Sequence, residues 1–148
     1  KIVIFCYHKS AIHELRVRLA RFNPTFIDGS VKHPVTRKQR ETQFQEDPTC
    51  HIMIGQIDTM GVAITLTAAS EVAVIGPKYT PTDNTQAVLR VHRIGQKRPV
   101  RVRFFYIDNG SDKKLQKTLM RRTQDQAEMF DPLILGSMGR IQNPLEGL

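Results

Sequence analysis

Apolar residues occur along this chain in short, nearly continuous runs that are rich in β-branched and aromatic side chains. Ile2–Tyr7, which reads I-V-I-F-C-Y, shows the pattern most strongly. Such a run is typical of a strand that is buried on both faces, as in a parallel sheet. The same reasoning predicts further strands at Thr25–Ile27, His51–Gly55, Glu71–Ile75 and Val100–Ile107.

Between these runs, residues recur at helical intervals. Apolar residues at this spacing predict a helix over Ala11–Phe22 with Ser10 as N-cap, and a last helix through Phe130 with Ser111 as N-cap. The spacing of Arg37, Arg40 and Phe44 predicts a helix over Thr36–Glu46, and a further helix is predicted for the stretch that carries Arg90 and Arg93. Strands that alternate with helices through short connections form βαβ units. We therefore predict an α/β fold, a three-layer sandwich with a mainly parallel sheet. The periodicity ends near Asp131, so residues 1–130 are predicted to form the domain and 131–148 a tail or linker.

Four polar loops each follow a predicted strand. They are His8-Lys9-Ser10, Asp28-Gly29-Ser30, Gly55–Gly61 and Gly76–Thr85. The carboxyl ends of parallel strands meet at one edge of a sheet, and ligands bind outside that edge. We expect the four loops to converge there and to form the ligand-binding side of the domain.

Positive charge is concentrated in one part of the chain. The 148 residues carry a formal net charge of +8. Residues 78–103 contain seven Lys or Arg and a single acidic residue, Asp83. A basic segment of this kind favours a polyanion as partner, either nucleic acid or nucleotide. A solvated surface usually mixes the two signs of charge.

Cysteine content and hydrophobicity exclude two classes of protein. Cys6 and Cys50 each lie in an apolar, strand-like run, which is typical of buried thiols in a reducing interior rather than of a disulfide. No apolar run approaches the ~20 residues needed to cross a bilayer. We therefore expect an intracellular protein that does not span a membrane.

A complete active site is not visible in the sequence. It contains no G-x-x-x-x-G-K-[ST] loop to hold a triphosphate, and no acidic pair follows a strand where Mg²⁺ would bind. The five histidines lack metal-ligand spacing. We expect no metal site within this chain.

The stretch Gln86–Gln96, Q-A-V-L-R-V-H-R-I-G-Q, is the most informative segment of the chain. On a helix, Arg90 and Arg93 would project from nearly the same face, with Gly95 at the helix end. Two neighbouring guanidinium groups repel each other unless they share an anion, and phosphate oxygens suit their planar geometry. A solvated basic helix is the alternative interpretation.

This stretch, and H-R-I-G-Q in particular, resembles the last signature motif of superfamily-two helicases in the form carried by the Swi/Snf family of DNA-translocating ATPases. Three earlier segments resemble the same family in the same order. They are Lys1–His8, Asp28-Gly29-Ser30 followed by Arg37, Arg40 and Phe44, and Ile54–Ala69 ending in T-L-T-A-A. The match extends from Lys1 to about Met129.

The resemblance implies the C-terminal RecA-like lobe of a two-lobe motor. ATP with Mg²⁺ would be held mainly by an N-terminal RecA-like lobe outside this chain, so we expect the chain alone to hydrolyse no ATP. Arg90 and Arg93 would act catalytically on the ATP phosphates. Nucleotide contacts are implied for Gln86, Gly61, Thr65 and Gln96. Contacts with the backbone of DNA, duplex DNA above all, are implied for His8, Lys9, Gly29, Ser30, Gln56 and Thr59.

The sequence departs from the family pattern at three places. The usual glycine-rich run is thinned to Thr59-Met60-Gly61-Val62-Ala63, Leu89 replaces an acid before the first arginine, and Tyr79-Thr80-Pro81 lacks the usual tryptophan. Two other interpretations stay open. One is a non-catalytic nucleic-acid-binding lobe of a degenerate helicase, and the other is a protein-interaction domain that reuses the fold.

Overall fold

A computed structural model describes residues 1–60, 64–106 and 114–122 of the chain. Its elements, in order, are β1 (Ile2–Cys6), α1 (Lys9–Arg18), a 3₁₀ turn (Ala20–Phe22), β2 (Thr25–Ile27), α2 (Pro34–Glu46), β3 (Ile52–Gln56), α3 (Ile57–Met60), β4 (Glu71–Ile75), α4 (Pro81–Val88) and β5 (Arg101–Phe105). Residues 114–122 form a further helical segment, α5.

The five strands form one sheet in the order β2-β3-β1-β4-β5, and every neighbouring pair is parallel. The central strand is β1, in which Val3 pairs with Met53 on one side and Val72 on the other. The predicted α/β fold with a mainly parallel sheet is confirmed. All five strands therefore end at the same edge, as the loop positions required.

Two separate hydrophobic clusters cover the two faces of the sheet. Successive residues of a strand point to opposite faces, so Val3 and Phe5 lie in one cluster while Ile4 and Cys6 lie in the other. Phe44 of α2 packs in the first cluster and Ile12 of α1 in the second. Helices on both faces of a parallel sheet make the predicted three layers.

The cysteines are free and buried, as predicted. Burial disfavours the charged thiolate, and it raises the pKa of the Cys6 thiol to about 11. Burial also raises the pKa of Cys50. Both thiols therefore remain protonated near neutral pH.

Several predicted helix boundaries are wrong. The first helix begins at Lys9 rather than Ala11, so Ser10 lies inside it and His8 occupies the N-cap position without a side-chain cap. The second begins at Pro34 rather than Thr36. Proline is favoured in the first turn of a helix because its missing N–H and fixed φ cost nothing there.

The strand boundaries agree more closely with the predictions. Strand β2 and strand β4 have the predicted bounds, and β3 is shifted by one residue. Strand β5 ends at Phe105, while Ile107 lies outside the described residues. The predicted last helix is described only over 114–122; Ser111, residues 123–130 and the predicted tail lie outside the described part. None of the helices within the described part is both long and apolar enough to traverse a bilayer.

Helix α3 follows β3 without a loop, and this sharp turn places Met60 against the strand. A Cβ atom on Gly55 would lie 1.3 Å from the Met60 Sδ atom. Met60 itself is fully buried. Only glycine leaves room for this side chain at the carboxyl end of β3.

Candidate nucleotide and nucleic-acid site

Gln56, the last residue of β3, joins the ends of three strands. Its Oε1 atom accepts hydrogen bonds from the Gly29 N–H and the Thr59 hydroxyl, both at 3.3 Å. Its Nε2 atom donates to the Tyr7 carbonyl, which follows β1, at 3.4 Å. We call the six residues predicted to contact nucleic acid the strand-exit cluster: His8, Lys9, Gly29, Ser30, Gln56 and Thr59.

Lys9 supplies positive charge to this cluster. A Cβ atom on Gly29 would lie 3.2 Å from the Lys9 Nζ atom, so the ammonium group rests directly above the glycine backbone. His8, Lys9 and Ser30 are exposed. The side chain of His8 packs edge-on against Tyr7, with ring centroids 4.8 Å apart. The structure thus brings the predicted residues together on one surface, at the carboxyl edge.

Asp28 shapes the loop that carries Gly29 and Ser30. Its Oδ1 atom accepts hydrogen bonds from the Ser30 N–H, at 2.9 Å, and from the Ser30 hydroxyl. Burial alone would raise the pKa of Asp28. Hydrogen bonds from Ser30 and the charges of Lys9 and Arg40 outweigh burial, so the pKa of Asp28 is lowered from its ordinary value of 3.8.

This lowered pKa predicts a pH-dependent contribution to stability. Because Asp28 is more acidic in the folded chain, its contribution is present above pH 3.8 and is lost as the pH falls through the folded pKa. We expect the difference in free energy of unfolding between wild type and Asp28→Asn to shrink below pH 3.8. Urea unfolding across a pH series measures it. A difference that grew with acid would contradict the assignment, and Ser30→Ala should weaken the effect.

The two arginines do not lie on a helix, and that prediction is wrong. Helix α4 ends at Val88 with Leu89 as C-cap, and Arg90 and Arg93 lie in the turns that follow. Gly95 has a φ of +101°, a conformation that glycine adopts without strain. We call residues 89–99, between α4 and β5, the arginine loop.

Residues 65–69, which lead into β4, hold the arginine loop in place. The Leu66 N–H donates to the Arg90 carbonyl at 3.0 Å. The Gln96 amide donates to the carbonyls of Thr67 and Ala69. Gln96, predicted to contact nucleotide, therefore uses its side-chain N–H groups on the backbone of its own lobe.

Arg93 is the more exposed of the two arginines. Its Nη1 atom donates to the Thr65 hydroxyl at 3.3 Å. No carboxylate among the residues that the structure describes lies within ion-pair distance of Arg93. Arg90 is half-buried, and Gln86 is exposed on α4. Gly61, the remaining predicted nucleotide contact, lies outside the described residues.

Lys78 connects α3 and α4, and sequence reasoning missed this role. Its Nζ atom lies 2.6 Å from Asp58 and 2.6 Å from Asp83. Hydrogen bonds to these two carboxylates raise the pKa of Lys78. The buried Asn84 also accepts from the Lys78 N–H and donates to its carbonyl. The available signal was Asp83, the single acid within the basic segment.

Comparison with solved structures assigns the fold to a class. The crystal structure of the C-terminal part of the Fun30 ATPase domain superimposes with a TM-score of 0.75, covering 80% of this chain and 38% of that one. The sequence identity is 24%, so the likeness concerns the fold. The fold is that of a RecA-like C-terminal lobe of a helicase.

Within the described residues, no three histidine, cysteine or acidic side chains are grouped to hold a metal.

Sequence comparison identifies the family. A profile of the helicase conserved C-terminal domain matches residues 1–95, so the chain belongs to that family. DNA excision repair protein ERCC-6-like of Bos taurus is 42% identical over 119 residues, and DNA repair protein RAD5A of Arabidopsis thaliana is 31% identical over 127. The ATP-dependent helicase rhp16 of Schizosaccharomyces pombe is 32% identical over 126 residues. The resemblance to Swi/Snf-type enzymes is confirmed.

These alignments cover most of the chain and a small part of each relative. They span 80%, 82% and 84% of this chain, but 9%, 12% and 14% of the three relatives in the same order. The chain therefore spans only between 9% and 14% of the length of these relatives.

Proposed function

We propose that this chain is the second motor lobe of an ATP-dependent DNA translocase. In this proposal, ATP with Mg²⁺ binds mainly to an N-terminal RecA-like lobe, and the arginine loop completes the nucleotide site from the other side. Hydrolysis opens and closes the two lobes and moves them along DNA. We therefore expect the protein to be intracellular and associated with DNA.

The observation that carries the proposal is the state of Arg93. Its guanidinium group is exposed, is held by the Thr65 hydroxyl, and has no carboxylate from a described residue at ion-pair distance. It is therefore available to an anion supplied from outside the lobe. A guanidinium group near the transferring phosphoryl group neutralises the charge that develops on its oxygens.

The strand-exit cluster supports the second half of the proposal, contact with DNA. It presents the Lys9 ammonium group, the exposed Ser30 and the backbone of Gly29 at the carboxyl edge of the sheet. Groups of this kind bind phosphates and carry no sequence information. That property suits a protein that moves over any sequence.

DNA binding by the chain tests this part of the proposal. We expect Lys9→Ala to weaken binding equally for two duplexes of unrelated sequence. It should also reduce, by about one, the slope of the logarithm of the association constant for DNA against the logarithm of the salt concentration. Fluorescence anisotropy over a salt series measures both quantities. Arg18→Ala removes the same charge from the opposite end of α1, where Arg18 pairs with Glu14, and should leave binding unchanged. Equal losses in the two variants would contradict the placement of the DNA site.

A further inference from the structure

Three polar residues of α2 recur at intervals of four: Arg37, Glu41 and Gln45. Residues at this spacing lie on one face of a helix. The helix connects the carboxyl end of β2 to the start of β3, so this face runs from the carboxyl edge of the sheet to the opposite edge. From first to last residue, the face extends over about 12 Å.

Glu41, in the middle of this face, contacts the residue that holds Arg93. Glu41 is 7% exposed, and its Oε1 atom accepts a hydrogen bond from the Thr65 N–H at 3.1 Å. The Thr65 hydroxyl in turn accepts from Arg93. The second carboxylate oxygen lies 3.3 Å from the exposed Lys38 ammonium group. One residue, Thr65, thus separates a buried carboxylate from the exposed arginine.

Gln45, one turn later, holds the next part of the same segment. Its Oε1 atom accepts from the Ala68 N–H at 2.7 Å, and its Nε2 atom donates to the Thr67 hydroxyl at 3.1 Å. The carbonyl groups of these two residues accept from the arginine loop, through Gln96 and Arg98. Glu41 and Gln45 therefore hold three of the residues to which the arginine loop is hydrogen-bonded, Thr65, Thr67 and Ala68.

Arg37, at the other end of the face, contacts the strand-exit cluster. Its Nη2 atom donates to the Thr59 carbonyl. A single helix thereby contacts the proposed DNA site at one end and the attachment of the arginine loop at the other.

We propose that Glu41 and Gln45 are positioning residues for ATP hydrolysis, which hold the arginine loop in register with the DNA-contacting strand ends. This inference rests on the proposed function of the arginine loop. Burying the Glu41 carboxylate costs free energy, because the charge loses its hydration, and leucine at this position would avoid that cost. One carboxylate oxygen accepts from the Thr65 N–H, and the other lies beside Lys38. These contacts are those expected of a side chain that holds a loop in place.

The test compares Glu41→Leu with Glu41→Gln in a two-lobe protein that contains this chain. Glutamine keeps an oxygen that can accept from the Thr65 N–H, whereas leucine has similar bulk and no acceptor. We expect Glu41→Leu to lower DNA-stimulated kcat about 10- to 100-fold with little change in the KM for ATP. Glu41→Gln should restore most of the rate.

Gln39→Leu is the matched control, because Gln39 is exposed and lies on the opposite side of α2. It should leave kcat unchanged. Thermal unfolding is recorded for every variant. If Glu41→Leu does not fold, Gln45→Leu is compared with Gln39→Leu in the same assay, and a rate equal to the control would overturn the proposal.

A double-mutant cycle separates positioning from a general loss of stability. Thr65→Val removes the hydroxyl that accepts from Arg93 and keeps the N–H. If Glu41 acts through Thr65, Glu41→Leu combined with Thr65→Val is no slower than the slower single variant. Losses that multiply would overturn the proposal.

The Arg93→Ala variant distinguishes a failure of this inference from a failure of the proposed function. If Arg93→Ala hydrolyses ATP at the wild-type rate, the proposed function fails. If Arg93→Ala is slow but Glu41→Leu hydrolyses ATP at the wild-type rate, only this inference fails.

Discussion

Replacing Arg93 with alanine in a two-lobe protein that contains this chain should lower DNA-stimulated ATP hydrolysis by about 10³- to 10⁵-fold. In the proposed function, the guanidinium group stabilises charge that develops only in the transition state, so its loss should reduce kcat while ATP binding survives. Steady-state hydrolysis with and without duplex DNA measures the rate. Equilibrium binding of a fluorescent ATP analogue measures the affinity.

The arginine loop offers a control of equal charge. Lys97 is an exposed cation four residues from Arg93, and Lys97→Ala should retain most of the rate. The chain by itself should hydrolyse no ATP, since the residues that hold the triphosphate are expected on the other lobe. Unchanged turnover in Arg93→Ala would remove the arginine assignment and favour a non-catalytic, nucleic-acid-binding lobe.

The second large effect concerns stability. Gly55→Val should lower the free energy of unfolding by about 3 kcal/mol, because the new side chain must displace buried atoms in a close-packed core. The Met60 side chain already occupies the position of the new Cβ atom, with its Sδ atom 1.3 Å away. Urea unfolding followed by circular dichroism measures the change.

Removing the obstructing side chain tests the cause of this loss. With Met60→Ala in the background, Gly55→Ala should cost less than it does in the wild type, since the space above the strand is then free. Equal costs in the two backgrounds would show that the methionine is not the obstacle. The strain would then have to lie in the backbone of β3.

The sheet could be predicted because each strand corresponds to a short apolar run of consecutive residues. Glu71–Ile75 consists of one acidic residue and four apolar ones, and Gly76-Pro77 follows it; the structure assigns the strand the same bounds. The alternation of strands and helices also fixed the parallel pairing, since a parallel neighbour requires a crossover connection. The convergence of the strand-exit cluster followed from this topology alone.

The end of α4 could not be predicted in the same way. Val91 follows Ala87 and Val88 at helical spacing, so the local pattern predicts a helix that continues past Val88. The chain instead turns where the Arg90 carbonyl accepts from the Leu66 N–H. That contact joins residues 24 positions apart, so it cannot be predicted from the residues next to Val88.

The side chains that connect the two parts of the site were missed for a related reason. Glu41 and Gln45 read as ordinary polar residues of an exposed helix. Their importance depends on which face of α2 is turned toward residues 65–68, and packing decides that. Lys78 is a similar case, because Asp58 lies 20 residues away and becomes its neighbour only after folding.

The two buried cysteines have a practical consequence for measuring motion between lobes. The thiolate is the nucleophile that attacks a thiol-reactive dye, and both native thiols are buried and remain protonated near neutral pH. A cysteine introduced at a surface position such as Gln39 would therefore take up a maleimide fluorophore selectively within this lobe, with no need to replace the native pair. Energy transfer to a second dye on the proposed N-terminal lobe would then test, in real time, whether the two lobes open and close as proposed.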